Sequence, residues 1–440
     1  MAHIRPFTGV HFNPRYANSL SELMCPPYDV ISPEQQEAFY RAHPYNIIRL
    51  VLGKQYPQDN HTHNRYTRAA ETLSQWLEQG TLVRKLNPGL TVYQMEFDRP
   101  EGGRVKLDGI ICLVKVEDYG KGRVLPHEKT YKGPKQDQLN LLRECRAHVT
   151  PIHGLFNDET QIISRICARV KQVPPEQQAS DSLGNIHRTW TIEDPEAIGQ
   201  IVEEFVPKSI FIADGHHRYE TALAFLKEMR DAGQAMPGAP YEYVMMYLTP
   251  LEHPGLTILP AHRLVKGMKD FHLERFLELL SPYFFVDRLP FNGNIPQLTL
   301  PKLRERVHAY AEIGGKFGMM VHGEDCFYLL RLKDFTVTET VMDPEIPPVL
   351  RELDVTILRE LVMNRALGLD HNNAEGQIEY TPDVEEALHR VLKGEVQIGF
   401  ILNPTRADQM CIAAEHGYKL PHKSTYFYPK LSSGLVLHVF

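Results

Sequence analysis

The run Ser209-Ile210-Phe211-Ile212-Ala213-Asp214-Gly215-His216-His217-Arg218-Tyr219-Glu220-Thr221-Ala222 constrains the fold of this chain more than any other segment. Its short apolar, β-branched start predicts a strand, and Asp214-Gly215 predicts a turn. Apolar residues at Ala222, Leu223, Leu226 and Met229 have helical spacing. A strand that turns directly into a helix presents the unpaired N–H groups and positive dipole end of the helix N-terminus. Gly215 lets backbone approach a ligand closely, and His217 and Arg218 add side-chain donors at the same place. This combination is suited to holding phosphate. Asp214 stands near the reacting group in that reading. The same residue is also a good helix N-cap, although two histidines and an arginine are more than capping requires.

The chain has 440 residues, enough for two or three domains and a sizeable core. A net charge of -7 argues against a dedicated nucleic-acid coat. The six cysteines, Cys25, Cys112, Cys145, Cys167, Cys326 and Cys411, form no close pair. Scattered thiols fit a reducing cytoplasm better than a disulfide framework. No apolar run reaches the ~18 residues that span a bilayer, and the N-terminal residues lack the apolar stretch of a signal peptide. The expected location is cytoplasmic.

Ser32-Pro33-Glu34 predicts a helix start, with Ser32 as N-cap and proline in the first turn. Asn46 to Leu52 predicts a strand, and Asn64 to about Gly80 an amphipathic helix with Ala69, Leu73, Trp76 and Leu77 on one face. Leu90 to Phe97 and Val105 to Val116 predict a hairpin across the Gly-containing Arg99–Gly103 connection. Pro174 to Asn185 is polar and predicts an exposed loop. Between about 271 and 332 the order helix, strand, helix, hairpin predicts an α+β subdomain. A helix is expected over Val355 to Leu367.

Four further segments carry candidate chemistry. Leu125-Pro126-His127-Glu128-Lys129-Thr130 gathers a base, a metal-ligand type and phosphate donors in one proline-anchored loop, or is a solvated polar loop. Pro421-His422-Lys423-Ser424-Thr425-Tyr426-Phe427-Tyr428-Pro429-Lys430 ends like a P-loop but lacks the upstream glycines, so it is no Walker motif. It reads equally as phosphate and base contacts or as an aromatic edge strand. Ile258-Leu259-Pro260-Ala261-His262-Arg263 places a cation pair near a strand end, or on the surface. In Cys25-Pro26-Pro27-Tyr28-Asp29 the prolines fix an extended loop, and Asp29 is a candidate substrate or metal contact. Cys25 has no visible local base to make it a nucleophile. HExxH, zinc-ribbon spacing, GxSxG and GxGxxG are absent, which disfavours a zinc enzyme, a serine hydrolase and a Rossmann oxidoreductase.

The Asp214–Ala222 turn resembles the phosphate-binding box of ParB/sulfiredoxin-like domains. With Arg5-Pro6-Phe7, Cys25–Ile31, His127–Thr130, Leu259–Arg263 and Lys423–Lys430, the whole chain resembles the DUF1015 family. The resemblance implies an α+β fold. Residues 1–268 would form a ParB/sulfiredoxin-like mixed α/β core that binds nucleotide, and 269–440 a C-terminal α+β region completing the site. It further implies a kinase related to those of free L-serine, making O-phosphoserine with Mg2+ and with ATP or ADP as phosphoryl donor. Carried over, Gly215, His216, His217 and Arg218 would hold phosphates, joined by Lys423, Ser424 and Thr425. Glu128 is the first choice of base and Asp214 the second, with His127 beside them. Asp29, His262 and Arg263 would contact the amino acid. The alternative is a nucleotide-binding, slowly hydrolysing regulatory switch without amino-acid kinase activity. A DNA-binding or nuclease role is disfavoured by the net charge and the lack of a helix-turn-helix signal. Nucleic-acid and membrane partners are not expected. Sulfiredoxin chemistry needs a cysteine near the turn, and none is there.

Overall fold

The apolar runs between residues 90 and 250 pair into one mixed sheet, joined by a short N-terminal strand. The strands are β1 (Ile4–Arg5), β2 (Leu90–Asp98), β3 (Arg104–Lys115), β4 (Val124–Leu125), β5 (Ile152–Phe156), β6 (Gln177–Ser180), β7 (Ile186–Ile192), β8 (Ile210–Asp214) and β9 (Tyr243–Pro250). Their spatial order is β4-β8-β5-β9-β3-β2-β7-β6, with β1 paired to β3. β8 runs parallel to β4 and β9 parallel to β5, while the other pairs are antiparallel. The expected hairpin is β2–β3, in register from Thr91 opposite Ile111 to Asp98 opposite Arg104. This computed structural model describes every residue except 17, 18, 129, 131, 235, 310, 312 and 370–375.

The longer helices beside this sheet among the described residues include α1 (Pro33–Ala42), α2 (Arg65–Glu78), α3 (Lys132–Cys145), α4 (Ile162–Val170), α5 (Pro195–Phe205) and α6 (His216–Asp231). Ser32 caps α1 in a reciprocal capping box with Gln35. One sheet face, carrying Val92, Ile110, Cys112, Ile152, Ile210 and Ile212, is covered by α4, α5 and α6 through Ile163, Ile166, Ile201, Phe205, Tyr219 and Leu226. Each such side chain taken fully out of water contributes roughly 1.5–3 kcal/mol, so this layer is what holds β8 and the start of α6 in place.

Two local expectations fail here. Asn46 to Leu52 holds a short helix, Ile48–Val51, instead of a strand. The buried Asn46 side chain accepts the Ile48 N–H at 2.9 Å and donates to the Glu22 and Met24 carbonyls at 2.8 and 3.0 Å. An asparagine that satisfies the first turn and two neighbouring carbonyls outweighs β-propensity. The polar segment 174–185, expected to be a loop, contains β6, which pairs with β7 at the sheet edge. An edge strand needs main-chain partners on one side only, so it forms without an apolar pattern.

Residues 262–401 hold a second sheet: β10 (His262–Val265), β11 (Phe284–Pro290), β12 (Lys316–Val321), β13 (Cys326–Leu332), β14 (Ile378–Thr381) and β15 (Ile398–Ile401). The order is β11-β13-β12-β15-β10-β14, antiparallel throughout. Helices α7 (Pro296–His308) and α8 (Val384–Leu392) pack Leu300, Leu303, Leu388 and Val391 against Leu264, Met320 and Phe327. The expected helix over 355–367 is present as a short α-turn, Asp354–Ile357, continued by a π-helix, Leu358–Ala366. π-Turns of this kind are rare and concentrate at functional or strained places.

The chain divides into two compact units. The first comprises Met1–Pro126, Thr130–Thr257 and Pro429–Phe440, and the second His127–Lys129 and Ile258–Tyr428. The expected single boundary near 268 is thus replaced by several crossings. The C-terminal segment returns to the first unit because its strand His438–Val439 pairs with Ala147–His148 and Leu437 pairs with Val10, long-range pairings that no linker signal marks. Among the described residues no helix is long and apolar enough to cross a membrane.

Candidate functional site

The Asp214–Arg218 turn has the predicted form. β8 ends at Asp214, Gly215 takes a left-handed conformation at φ 93°, and α6 begins at His216. A side chain is strained at this φ, and a Cβ there would stand 3.0 Å from the Arg218 guanidinium. Asp214 does not cap the helix. The N-cap position is Gly215, which offers no side-chain acceptor to the first turn. His216 is buried and His217 half-buried.

Asp214 is instead held between two cations. Arg218 Nη2 donates to Oδ2 at 2.9 Å, and Lys430 Nζ bonds Oδ1. The other terminal nitrogen of Arg218 donates to the Pro151 carbonyl. His153, opposite Asp214 in the β5–β8 register, has its Nε2 3.0 Å from Thr249 Oγ1. Burial opposes ionisation of Asp214, yet the Lys430 ammonium, the Arg218 guanidinium and His153 together hold its carboxyl far below the usual carboxylate range. Burial lowers the His153 imidazole to about 4, against the pull of Asp214, so it is neutral at pH 7. Tyr28, in the short helical turn Tyr28–Val30, has its phenol pushed up by burial, by Asp29 and more weakly by Asp137 and Asp214, while Arg218 opposes the rise.

The Cys25–Asp29 loop is anchored beside the Lys430 segment: Ser433 N–H donates to the Cys25 carbonyl at 2.8 Å. Cys25 itself is buried and its thiol pushed up by burial, so it is inert. All six cysteines are buried. Asp29 is exposed. Thr130, the last residue of the 125–130 motif, donates to Glu220 at 2.6 Å, and Lys135 pairs with the same carboxylate at 2.8 Å. Lys129 of that motif lies outside the described residues.

The second unit gathers the other candidates. His127 is buried, with Nε2 2.9 Å from Thr425 Oγ1. Glu128 Oε1 lies 3.1 Å from His422 Nδ1 and accepts the Lys423 N–H at 3.3 Å. Lys423 has φ 55°. Ser424 is buried; its hydroxyl donates to the Pro421 carbonyl, and its own carbonyl accepts from Thr405 at 2.8 Å. The Ser424 and Thr425 hydroxyls are thus engaged within their own unit. His262 accepts the Leu402 N–H on Nδ1 at 3.2 Å, and burial, reinforced by Arg263, lowers it to about 3. It is therefore an uncharged structural acceptor at neutral pH, and only Arg263 of that pair offers a cation. Arg263 is buried, its guanidinium 5.3 Å from the Tyr380 ring centre.

The structure thus brings Asp214, Gly215, His216, His217 and Arg218 together in one unit, and His127, Glu128, Lys423, Ser424 and Thr425 in the other. The sequence reading missed two members of the first cluster. Lys430 was legible only as the last residue of the 421–430 motif, and His153 only as a histidine interrupting an apolar strand.

The family model described as "Protein of unknown function (DUF1015)" matches residues 4–356. The chain belongs to the DUF1015 family. This DUF1015 chain has no match among curated proteins. Among solved structures it is similar to a free serine kinase in complex with AMP, at 13% identity and TM-score 0.31, covering 69% of this chain and 83% of that one. It is also similar to a conserved hypothetical protein from Pyrococcus furiosus, at 13% identity and TM-score 0.32, covering 70% and 90%. A third is SbnI with C-terminal truncation from Staphylococcus aureus, at 10% identity and TM-score 0.32, covering 73% and 84%. At these scores the likeness carries no argument about what the DUF1015 chain binds.

Proposed function

We propose that this chain is a nucleotide-dependent small-molecule kinase that transfers a phosphoryl group from ATP or ADP to the hydroxyl of a small amino acid, free L-serine first among them. The observation that carries the reading is the Asp214–Arg218 turn: two cations on one carboxylate, a left-handed glycine and an uncapped-by-side-chain helix start. Phosphoryl transfer needs positioning and charge neutralisation more than covalent help, and this turn supplies both. In the reaction the serine oxygen forms a bond to phosphorus as the bond to the nucleotide's leaving oxygen breaks. The serine proton passes to a carboxylate, and the nucleotide leaves with one phosphate fewer.

Of the two candidate bases, Asp214 is the weaker, because its cations keep it ionised and spend its proton affinity. Glu128 is the base in this reading, next to His422. Arg263 is the cation assigned to the amino acid's carboxylate, and Asp29 the acceptor for its ammonium group. Among the described residues no group of three metal-ligating side chains comes together at these carboxylates. Asp214 is bonded to Lys430 and Arg218, Glu128 to His422 and Lys423. The metal-ligating types that come together among the described residues are Glu324, Asp325 and Cys326, which Arg288 approaches. Mg2+ belongs in this reading to the nucleotide's own phosphate oxygens.

The test is a transfer assay with purified protein, Mg2+, a nucleotide panel and L-serine, reading O-phosphoserine by mass spectrometry. Serine-dependent product that disappears in Arg218→Ala is the expected result. Nucleotide binding with no serine-dependent product from any donor replaces the kinase by the regulatory switch.

A further inference from the structure

Arg263 is a buried cation without a counter-ion. It is 6% exposed, and its Nη1 donates to the Ala261 carbonyl. Among the described residues no carboxylate pairs with it, and Nε and Nη2 make no hydrogen bond. Burial pushes the guanidinium down to about 10, which still leaves it charged at pH 7. Other cations of low exposure are matched, Arg218 by Asp214, Arg65 by Asp137, Lys171 by Asp108 and Lys208 by Glu204. A charge that stays buried needs an anion beside it, and the described residues give Arg263 none.

Its surroundings are open to a ligand. Leu264 faces the helices α7 and α8, so Arg263, its neighbour in β10, lies on the opposite sheet face. There it stands opposite Tyr380 in the β10–β14 register, with its guanidinium 5.3 Å from the ring centre. The ring steadies the cation without neutralising it. Tyr380 is 38% exposed, so the ring that borders Arg263 reaches solvent. The His422 ring meets Tyr380 edge-on at 5.9 Å, and His422 Nδ1 lies 3.1 Å from Glu128. Arg263 and the base of the kinase reading therefore stand at the two ends of one row within the second unit. The unused Nε–Nη2 edge offers two parallel donors and a single positive charge. That matches the two oxygens and single charge of a carboxylate.

We infer that the Nε–Nη2 edge of Arg263 binds the carboxylate of the acceptor, so that a free carboxylate, more than an ammonium group, decides which alcohols this chain phosphorylates. The inference rests on the kinase reading for the reaction and goes beyond it in naming the acceptor class. Hydroxy acids are taken with or without an amino group. Amino alcohols, and serine whose carboxyl is tied up in a peptide bond, are not.

The probes are L-serine, glycerate, which lacks the ammonium group, and ethanolamine, which lacks the carboxylate. Each is titrated calorimetrically, with ADP present, into wild type, Arg263→Met and Arg263→Lys, and each is offered as acceptor in the transfer assay. L-Serine and glycerate are expected to bind wild type within about tenfold of each other, and ethanolamine at least about tenfold more weakly. Arg263→Met is expected to lose about tenfold or more for the two carboxylates and nothing for ethanolamine. If Arg263→Met does not fold, Arg263→Lys, which keeps the charge without the paired donors, is expected to show a several-fold loss confined to the same two probes. Ethanolamine bound as tightly as L-serine, no binding of either carboxylate, or a loss shared by all three probes overturns the inference. Transfer to ethanolamine and L-serine alike leaves the kinase standing without the inference. Carboxylate binding that is lost at Arg263, with no transfer to any acceptor, removes the kinase and leaves the carboxylate site.

Discussion

Replacing His438 by phenylalanine is expected to stabilise the first unit, and to do so more strongly in acid. His438 lies in the C-terminal strand paired with Ala147–His148. Its ring stacks on His148 at 5.9 Å and meets Phe7 edge-on at 5.5 Å. It is 6% exposed, and neither ring nitrogen makes a well-formed hydrogen bond, the Pro240 carbonyl being the weakest influence on it. Burial above all, then His148, Arg5 and Arg84, push the imidazole down to about 3. In the unfolded chain it titrates near 6.5. The folded ring therefore resists a proton that the unfolded one accepts, and stability is lost as pH falls below about 6.5. At pH 5 the unfolded ring is about 1.5 units below its midpoint, which at 1.36 kcal/mol per unit is about 2 kcal/mol. Removing a buried, poorly satisfied polar group adds about 1 kcal/mol at any pH. The expected gain for His438→Phe is thus about 1 kcal/mol at pH 7.5 and about 3 kcal/mol at pH 5. His148, lowered by burial to about 4, remains in both proteins and contributes the same slope to each. Urea unfolding followed by tryptophan fluorescence reports the right unit, because the two tryptophans, Trp76 and Trp190, both lie in the first. A gain of the same size at both pH values, or a loss at either, refutes the reasoning.

Three further outcomes are expected. Glu128→Gln should abolish serine phosphorylation while nucleotide still binds, since the amide keeps the hydrogen-bonding oxygen but cannot take the proton; full turnover removes Glu128 as the base. Gly215→Ala should cost about 1–2 kcal/mol from the left-handed backbone alone and displace Arg218, whose guanidinium a Cβ would press at 3.0 Å; a thermal melt and a pyrophosphate titration check the two parts separately. Asp354, raised by burial to about 6 against the Gly315 N–H and Asn403, holds its proton in the folded chain where the unfolded chain has already lost it. That stabilisation is present in acid and disappears as pH rises through about 6. Asp354→Asn should therefore be more stable than wild type by up to about 3 kcal/mol at pH 7.5, and by little at pH 4; melts at the two pH values that show a constant difference contradict this.

The sequence by itself determined the local forms that periodicity and capping control. The β8–Gly215–α6 turn, the β2–β3 hairpin, the capped start of α1 and the α2 helix follow from apolar spacing, glycine and side-chain caps within a few residues of one another. The same signals failed where a distant partner overrode them. Asn46 turned a strand-like run into a helical turn by bonding Glu22 and Met24, and β6 formed from polar residues because β7 offered its edge. The grouping of the candidate site was beyond local signals altogether. Asp214 and Lys430 are 216 residues apart in the chain, and no spacing rule links them. His153 reaches Asp214 only because β5 and β8 are neighbours in the sheet. Composition and motif order named the residue types suited to phosphate, whereas the tertiary structure decided which cation meets which carboxylate. That choice is made by sheet order and by the return of the C-terminal segment to the first unit, both of which arise from burying apolar faces and completing main-chain hydrogen bonds across long stretches of sequence.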